Sequence, residues 1–150
     1  MYTAIQEVRA DLDLADLAFT AEAIRHMDVQ PHMGIAAVVV RPGQRVLDFQ
    51  AELIDVLAPY VESGGTADSY VRTEAEPDID DATIEYIENY VPHHSGANYV
   101  AHVTVGIAAL DDLAVIEAEP FEPLTFAASA ISVYQLGNNG TAAKKLWNLD

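Results

Sequence analysis

The chain contains no cysteine, which excludes disulfide bridges, zinc–thiolate sites and cysteine nucleophiles. Basic residues are scarce as well, since 7 lysines and arginines stand against 24 aspartates and glutamates, for a net charge of −17. Such a charge repels polyanions, and extended nucleic-acid binding needs cations against several phosphates. We therefore expect no extended nucleic acid as a partner. A mononucleotide or a strand end stays compatible with the charge.

Long apolar runs are also missing. The longest covers residues 34–40 and falls far short of the roughly 20 residues that a membrane-spanning helix needs. The first residues lack the basic-then-apolar pattern of a secretion signal. We therefore expect a cytoplasmic protein with no membrane partner. A chain of 150 residues that is 51% hydrophobic is long enough for one core, so one domain is expected.

Strand and helix patterns are mixed along the chain, which predicts an α+β protein with mixed sheets and flanking helices. Residues 34–40 are β-rich and apolar on both faces, as in an internal strand. Apolar residues recur every three or four positions over 46–60 and predict an amphipathic helix that stops or kinks near Pro59. Further helices are predicted before Asp11, over 84–91 and over 111–119, and further strands over 17–24 and 100–108. A hairpin is predicted between His26 and His32, and a loop over 92–98. One extended run over 124–136 is predicted to pair with 142–149 across the turn 137–140.

His102 and Thr104 are the candidate catalytic residues, because both lie in the predicted strand 100–108. A period of two places their side chains on one face of that strand, and Val103 and Val105 on the other. An imidazole that moves a proton near neutral pH then stands beside a hydroxyl that can donate to an anionic oxygen. This pair suits phosphoryl chemistry. The tripeptide alone leaves open a second interpretation, a solvent-facing strand surface, because short motifs match by chance.

The other histidines are interpreted as surface residues. His93 and Ser95 also form a His-x-Ser, and His94 lies between them, but adjacent loop histidines rarely converge on one metal ion without a third ligand. We predict neither a metal nor a cofactor. His26 and His32 flank the predicted hairpin and are interpreted in the same way.

Arg72 and Tyr134 are the candidate substrate-binding residues. Arg72, Lys144 and Lys145 are rare cations on an acidic chain, and a phosphate contact is one use for them. Solvated surface charge is the other use. The seven tyrosines are numerous enough to line a base-stacking cleft, although aromatic residues at helical spacing more often pack in the core.

Residues 101–108, followed by 111–113 and 131–146, resemble the second half of a bacterial 2'-5' RNA ligase-like protein of the two-histidine (2H) phosphoesterase superfamily. Upstream segments over 34–42, 46–60 and 70–92 are similar in order and spacing. The resemblance implies two pseudo-symmetric lobes that face one cleft, each contributing a His-x-Thr or His-x-Ser. It also implies metal-free acid and base chemistry that opens 2',3'-cyclic phosphates or makes and breaks 2'-5' linkages. His102 and Thr104 match the second motif.

The resemblance implies that the first motif lies on an N-terminal strand. This sequence has no counterpart of that motif, because no histidine precedes His26. We therefore expect one domain over 1–150 that lacks its N-terminal strand–helix–strand, with an exposed edge that favours a homo-oligomer. The expected function is an impaired phosphodiesterase, with little or no turnover of a small nucleotide or RNA-end phosphodiester. A non-catalytic nucleotide-binding module on the same scaffold is the alternative, so whether the chain is an enzyme stays open. An unrelated acidic interaction protein is a third hypothesis.

Overall fold

Helices and strands are interspersed through residues 1–149, the part of the chain that the computed structural model describes. This arrangement confirms the α+β class. The helices are α1 (Tyr2–Ala10), α2 (Gln44–Leu57), α3 (Asp81–Glu88), α4 (Tyr90–His94) and α5 (Leu110–Ala118). The strands are β1 (Ala18–Gln30), β2 (Met33–Pro42), β3 (His102–Ala109), β4 (Leu124–Ala127), β5 (Ile131–Leu136) and β6 (Ala142–Leu149).

The chain divides into two compact units, and each is described by itself. The first, here called the sheet unit, comprises residues 15–47 and 99–128. The second, here called the hairpin unit, comprises residues 1–14, 48–98 and the segment from Ser129 onward. The prediction of a single domain that lacks an N-terminal segment stays a prediction.

A curled antiparallel sheet forms the sheet unit, with the strand order β3-β2-β1-β4. Strands β1 and β2 form the predicted hairpin, whose turn holds His32 at a φ of 74°. The internal position predicted for residues 34–40 is confirmed, since β2 pairs on both sides. Its side chains from Met33 to Val40 carry no charge and include three successive valines, so they fit the middle of a sheet.

Helix α5 covers one face of this sheet, here called the helix face. Leu113 of α5 is 2% exposed, and a Cβ added to Gly34 would lie 2.9 Å from its Cδ1 atom. Side chains alternate along a strand, so Ala36 and Val40 share the face of Gly34, and both are buried. The opposite face of the sheet, here called the open face, carries the odd-numbered residues of β2 from Ile35 to Val39, which are half-buried.

In the hairpin unit, β5 and β6 pair antiparallel across the predicted turn at 137–140. Tyr2 of α1 packs edge-on against Trp147 of β6, with ring centres 4.4 Å apart. The turn is attached to the start of α3 by Asn138, whose Oδ1 accepts from the Asp80 N–H and the Thr83 hydroxyl, each at 3.1 Å. Thr83 is buried, so this network satisfies polar groups that water does not reach.

The prediction of one extended run over 124–136 is wrong. Residues 124–127 form β4, which pairs with β1, whereas 131–136 form β5, which pairs with β6. The N–H of Ala128 donates to the carbonyl of Leu17 at 3.0 Å as β4 ends. Local sequence propensity is extended on both sides of this break, so the choice of partner strand separates the two segments.

The helix boundaries confirm one prediction and correct another. Helix α2 ends at Leu57, and Pro59 lies in a following 3-10 turn, as the missing proline N–H predicts. The predicted loop 92–98 is partly wrong, because α4 runs through Pro92 to His94. Pro92 lies in the first turn of α4, where its missing N–H would have no partner within the helix. Within residues 1–149, no helix combines the length and the apolar character needed to cross a bilayer.

Candidate functional site

His102 and Thr104 lie on β3, an edge strand of the sheet unit, and their side chains share the open face. His102 is directly opposite Val39 of β2, and Thr104 is directly opposite Ala37. Directly opposite residues of an antiparallel pair point to the same side. Both His102 and Thr104 are exposed to solvent. The structure therefore brings the two predicted residues together on the side of the sheet away from α5.

A β-bulge follows this pair and corrects part of the predicted alternation. Val103 is opposite Val38 and lies on the helix face, as expected. The register then shifts, because Thr104 pairs with Ala37 and Gly106 with Ala36, which leaves Val105 as the extra residue. Bulges re-aim side chains and interrupt pairing. Pairing with β2 is therefore interrupted immediately after Thr104 and resumes at Gly106.

A backbone carbonyl determines the tautomer of His102. The Nδ1 atom lies 3.0 Å from the carbonyl oxygen of Val100, and a carbonyl oxygen accepts but cannot donate. Nδ1 therefore carries the proton, and Nε2 of the neutral ring retains its lone pair as a base. Burial raises the pKa of the neighbouring Tyr99 phenol, so that group stays protonated at neutral pH. The local arrangement offers one proton acceptor and, from Thr104, one hydroxyl donor.

Arg25 lies in the same cross-strand row as Thr104. Arg25 of β1 and Thr104 of β3 are each directly opposite Ala37, so all three side chains lie on the open face. The Arg25 Nη1 atom donates to the carbonyl of its neighbour Ile24 at 2.8 Å. Sequence reasoning missed this residue. Period-two alternation relates Arg25 to other residues of β1, but only the pairing with β2 relates it to β3.

His26 lies on the helix face and connects β1 to α5. Its ring Nδ1 is 2.8 Å from Glu117 Oε1, its backbone N–H donates to the same oxygen at 2.7 Å, and its Nε2 is 3.5 Å from Asp28. The side-chain hydrogen bond from His26 is the largest cause that lowers the pKa of Glu117. This contact positions a helix on the sheet. It does not bring His26 to the face of His102.

The second His-x-Ser is part of a helix end. Ser95 follows α4, and its hydroxyl donates to the carbonyl of Val91 at 2.5 Å. The His94 ring lies 4.9 Å from the ring of Tyr86. These residues belong to the hairpin unit and serve local packing. Across the described residues, no group of three histidine or acidic side chains is arranged to hold a metal ion.

Arg72 and Tyr134 also belong to the hairpin unit. Arg72 is exposed and forms an ion pair with Asp68. Tyr134 of β5 is directly opposite Lys145, whose Nζ lies 5.6 Å from the centre of the tyrosine ring. The N–H of Val71 donates to the carbonyl of Leu136 at 2.8 Å, so the segment that carries Arg72 runs beside the end of β5. Their roles in substrate binding stay predictions.

Comparison with known proteins assigns no family to the chain. No protein-family model, no curated protein and no solved structure matches it. The resemblance to two-histidine phosphoesterases therefore stays a prediction.

Proposed function

We propose that the chain is a two-histidine phosphoesterase-like protein whose His102 and Thr104 bind the phosphate of a small nucleotide or RNA-end phosphodiester. The observation that carries the proposal is the hydrogen bond from His102 Nδ1 to the carbonyl of Val100. This bond leaves Nε2 as the proton-accepting atom of a ring that lies two residues from a hydroxyl on the same open face. The pair supplies the two group types that phosphoryl chemistry uses without a metal.

The chemistry of a 2',3'-cyclic phosphate shows what this pair can contribute. Water attacks phosphorus as a base removes its proton, and the P–O bond to one ribose oxygen breaks as an acid protonates that oxygen. His102 can perform one of these proton transfers through Nε2, and Thr104 can donate to a non-bridging oxygen. One positioned acid or base contributes about 10²–10⁴-fold.

The position of the other histidines favours binding over rapid turnover. In the sheet unit as described, His26 faces α5 and His32 lies in the β1–β2 turn, so neither accompanies His102 on the open face. The second proton transfer then has no histidine partner among these residues. This observation supports the second candidate function, a nucleotide-binding module on the same scaffold.

A titration with 2',3'-cyclic AMP tests the proposal on the 150-residue chain. We expect saturable shifts of the His102 imidazole signals by NMR, with hydrolysis slow or absent. Measured by calorimetry, because the variant lacks the NMR reporter, His102→Gln should abolish binding, whereas the control His32→Asn should leave it unchanged. His32 is exposed at a φ of 74°, a backbone conformation that asparagine adopts readily.

Three results are distinguishable. Hydrolysis that disappears in His102→Gln establishes an enzyme, and saturable binding without hydrolysis establishes the binding module. If the His102 signals do not move at millimolar nucleotide, or if His32→Asn weakens binding as much as His102→Gln, the proposal is wrong.

A further inference from the structure

We infer that Arg25 is a third phosphate-binding residue of the open face and supplies the positive charge that an anionic ligand needs there. The inference rests on the proposed function of His102 and Thr104. It defines the ligand further as a phosphate anion held between two strands, with Thr104 on one side and the Arg25 guanidinium on the other.

The geometry comes from the row that Arg25, Ala37 and Thr104 form across three strands. Directly opposite Cβ atoms lie about 4.5–5.5 Å apart, so the Cβ atoms of Arg25 and Thr104 are separated by roughly 10 Å. Ala37 between them carries a single methyl group, so no long side chain stands in the row between Arg25 and Thr104. The long arginine stem and two N–H···O or O–H···O bonds of about 2.8 Å around one phosphate match this span.

The charge of the site points to the same residue. The Thr104 hydroxyl brings no charge, and the chain carries −17. A phosphate therefore needs a local cation, and the planar guanidinium fits its oxygens in pairs. Among the residues that the structure describes, Arg25 has no carboxylate within ion-pair distance, whereas Arg41 binds Glu22 at 2.5 Å.

Moving the Arg25 side chain toward Thr104 disturbs little of the existing structure. Its guanidinium is exposed and donates to the carbonyl of Ile24, which water can solvate in its place. Glu117 also senses the Arg25 charge, but this is the last and smallest of the causes that lower its pKa. Glu117 of α5 still accepts from the backbone N–H of His26 and keeps its contact with His26 Nδ1 when Arg25 turns away.

The test compares Arg25→Gln with Arg41→Gln in the full chain. Both variants remove one guanidinium from the same sheet and change the net charge equally, but Arg41 is occupied by Glu22. The probes are 2',3'-cyclic AMP and inorganic phosphate, with Kd measured by calorimetry and by the His102 NMR signals. We expect Arg25→Gln to weaken both probes by about tenfold or more, the loss of one charge-assisted hydrogen bond. Arg41→Gln should change Kd by less than about twofold, and Arg25→Lys should be intermediate.

The outcomes separate this inference from the proposed function. Wild-type binding that Arg25→Gln leaves unchanged overturns the role of Arg25 and leaves His102 and Thr104 in place. Equal weakening by Arg25→Gln and Arg41→Gln indicates a general charge effect and also overturns it. Failure of the wild-type chain to bind either probe overturns both. Binding of the nucleotide but not of inorganic phosphate, with the Arg25→Gln loss retained, supports a phosphodiester ligand over free phosphate.

Discussion

Helix α5 packs so closely on the sheet at Gly34 that a larger residue should destabilise the fold. A Cβ at Gly34 would lie 2.9 Å from Leu113 Cδ1, 3.0 Å from Leu110 Cδ2 and 3.1 Å from His26 Cδ2. A non-bonded Cβ essentially never lies as close as 2.9 Å to another carbon atom, so the added methyl group must displace Leu113, which is 2% exposed and packed in the interior. Overpacking of this kind lowers the free energy of unfolding by about 1–3 kcal/mol, and the reduced entropy of the unfolded chain raises it by about 0.4–1 kcal/mol. Gly34→Ala should therefore destabilise the fold by about 1–2 kcal/mol.

Gly106 on the neighbouring strand β3 is the matched control. An added Cβ there has no atom within 4 Å, and its backbone is outside the left-handed region. The added methyl group therefore causes no overpacking, and only the lower conformational entropy of the unfolded chain changes the stability. Gly106→Ala should stabilise the fold by about 0.4–1 kcal/mol. The same substitution on adjacent strands is thus expected to change stability in opposite directions.

Urea denaturation followed by circular dichroism and by Trp147 fluorescence measures both variants. With a slope of about 1–3 kcal/mol per molar urea, the midpoint of Gly34→Ala should fall by roughly 0.3–2 M and that of Gly106→Ala should rise. A midpoint for Gly34→Ala equal to or above that of the wild type would refute the close packing of α5 against Gly34. So would a loss of stability in Gly106→Ala as large as that in Gly34→Ala.

Two further predictions concern hydrogen bonds outside the open face. The pKa of Glu117 is lowered in the folded state, so its contact with His26 stabilises the fold above the usual glutamate pKa of about 4.3. Glu117→Gln should therefore reduce stability at neutral pH. The difference in stability from wild type should shrink as the pH falls through the lowered pKa of Glu117. Denaturation measured from pH 3 to 7 contradicts this prediction if the difference does not depend on pH. Asn138→Ala should cost about 1–3 kcal/mol, because it leaves the buried Thr83 hydroxyl without its acceptor. Asn148→Ala, which removes an exposed hydrogen bond, should change stability by less than about 0.5 kcal/mol, and equal losses in the two variants would rule out this explanation.

Local signals in the sequence were sufficient for most elements of the fold. The period over 46–60 and the ring of Pro59 determine where α2 ends, and an uncharged β-rich run makes β2 an internal strand. The prediction of one extended run over 124–136 was wrong because both halves of that segment favour extended structure. Nothing local indicates that the first half pairs with β1 and the second with β6.

The candidate site shows the same division. The alternation of His102 and Thr104 was readable, because side chains two residues apart on a strand share a face. The bulge at Val105 was not readable, since it depends on how β3 pairs with β2. Arg25 was overlooked for a related reason, because its place in the same cross-strand row as Thr104 depends on two successive strand pairings.

By itself, the sequence determined the acidic charge, the lack of cysteine chemistry, the strand that carries His102 and the common face of His102 and Thr104. These properties depend on composition or on spacing within one segment. The tertiary structure alone decided that α5 covers the opposite face, that Val100 determines the tautomer of His102, and that Arg25 shares a row with Thr104. Each of these depends on the folded backbone, chiefly on residues distant in sequence, and the period of a single strand contains no information about its partners.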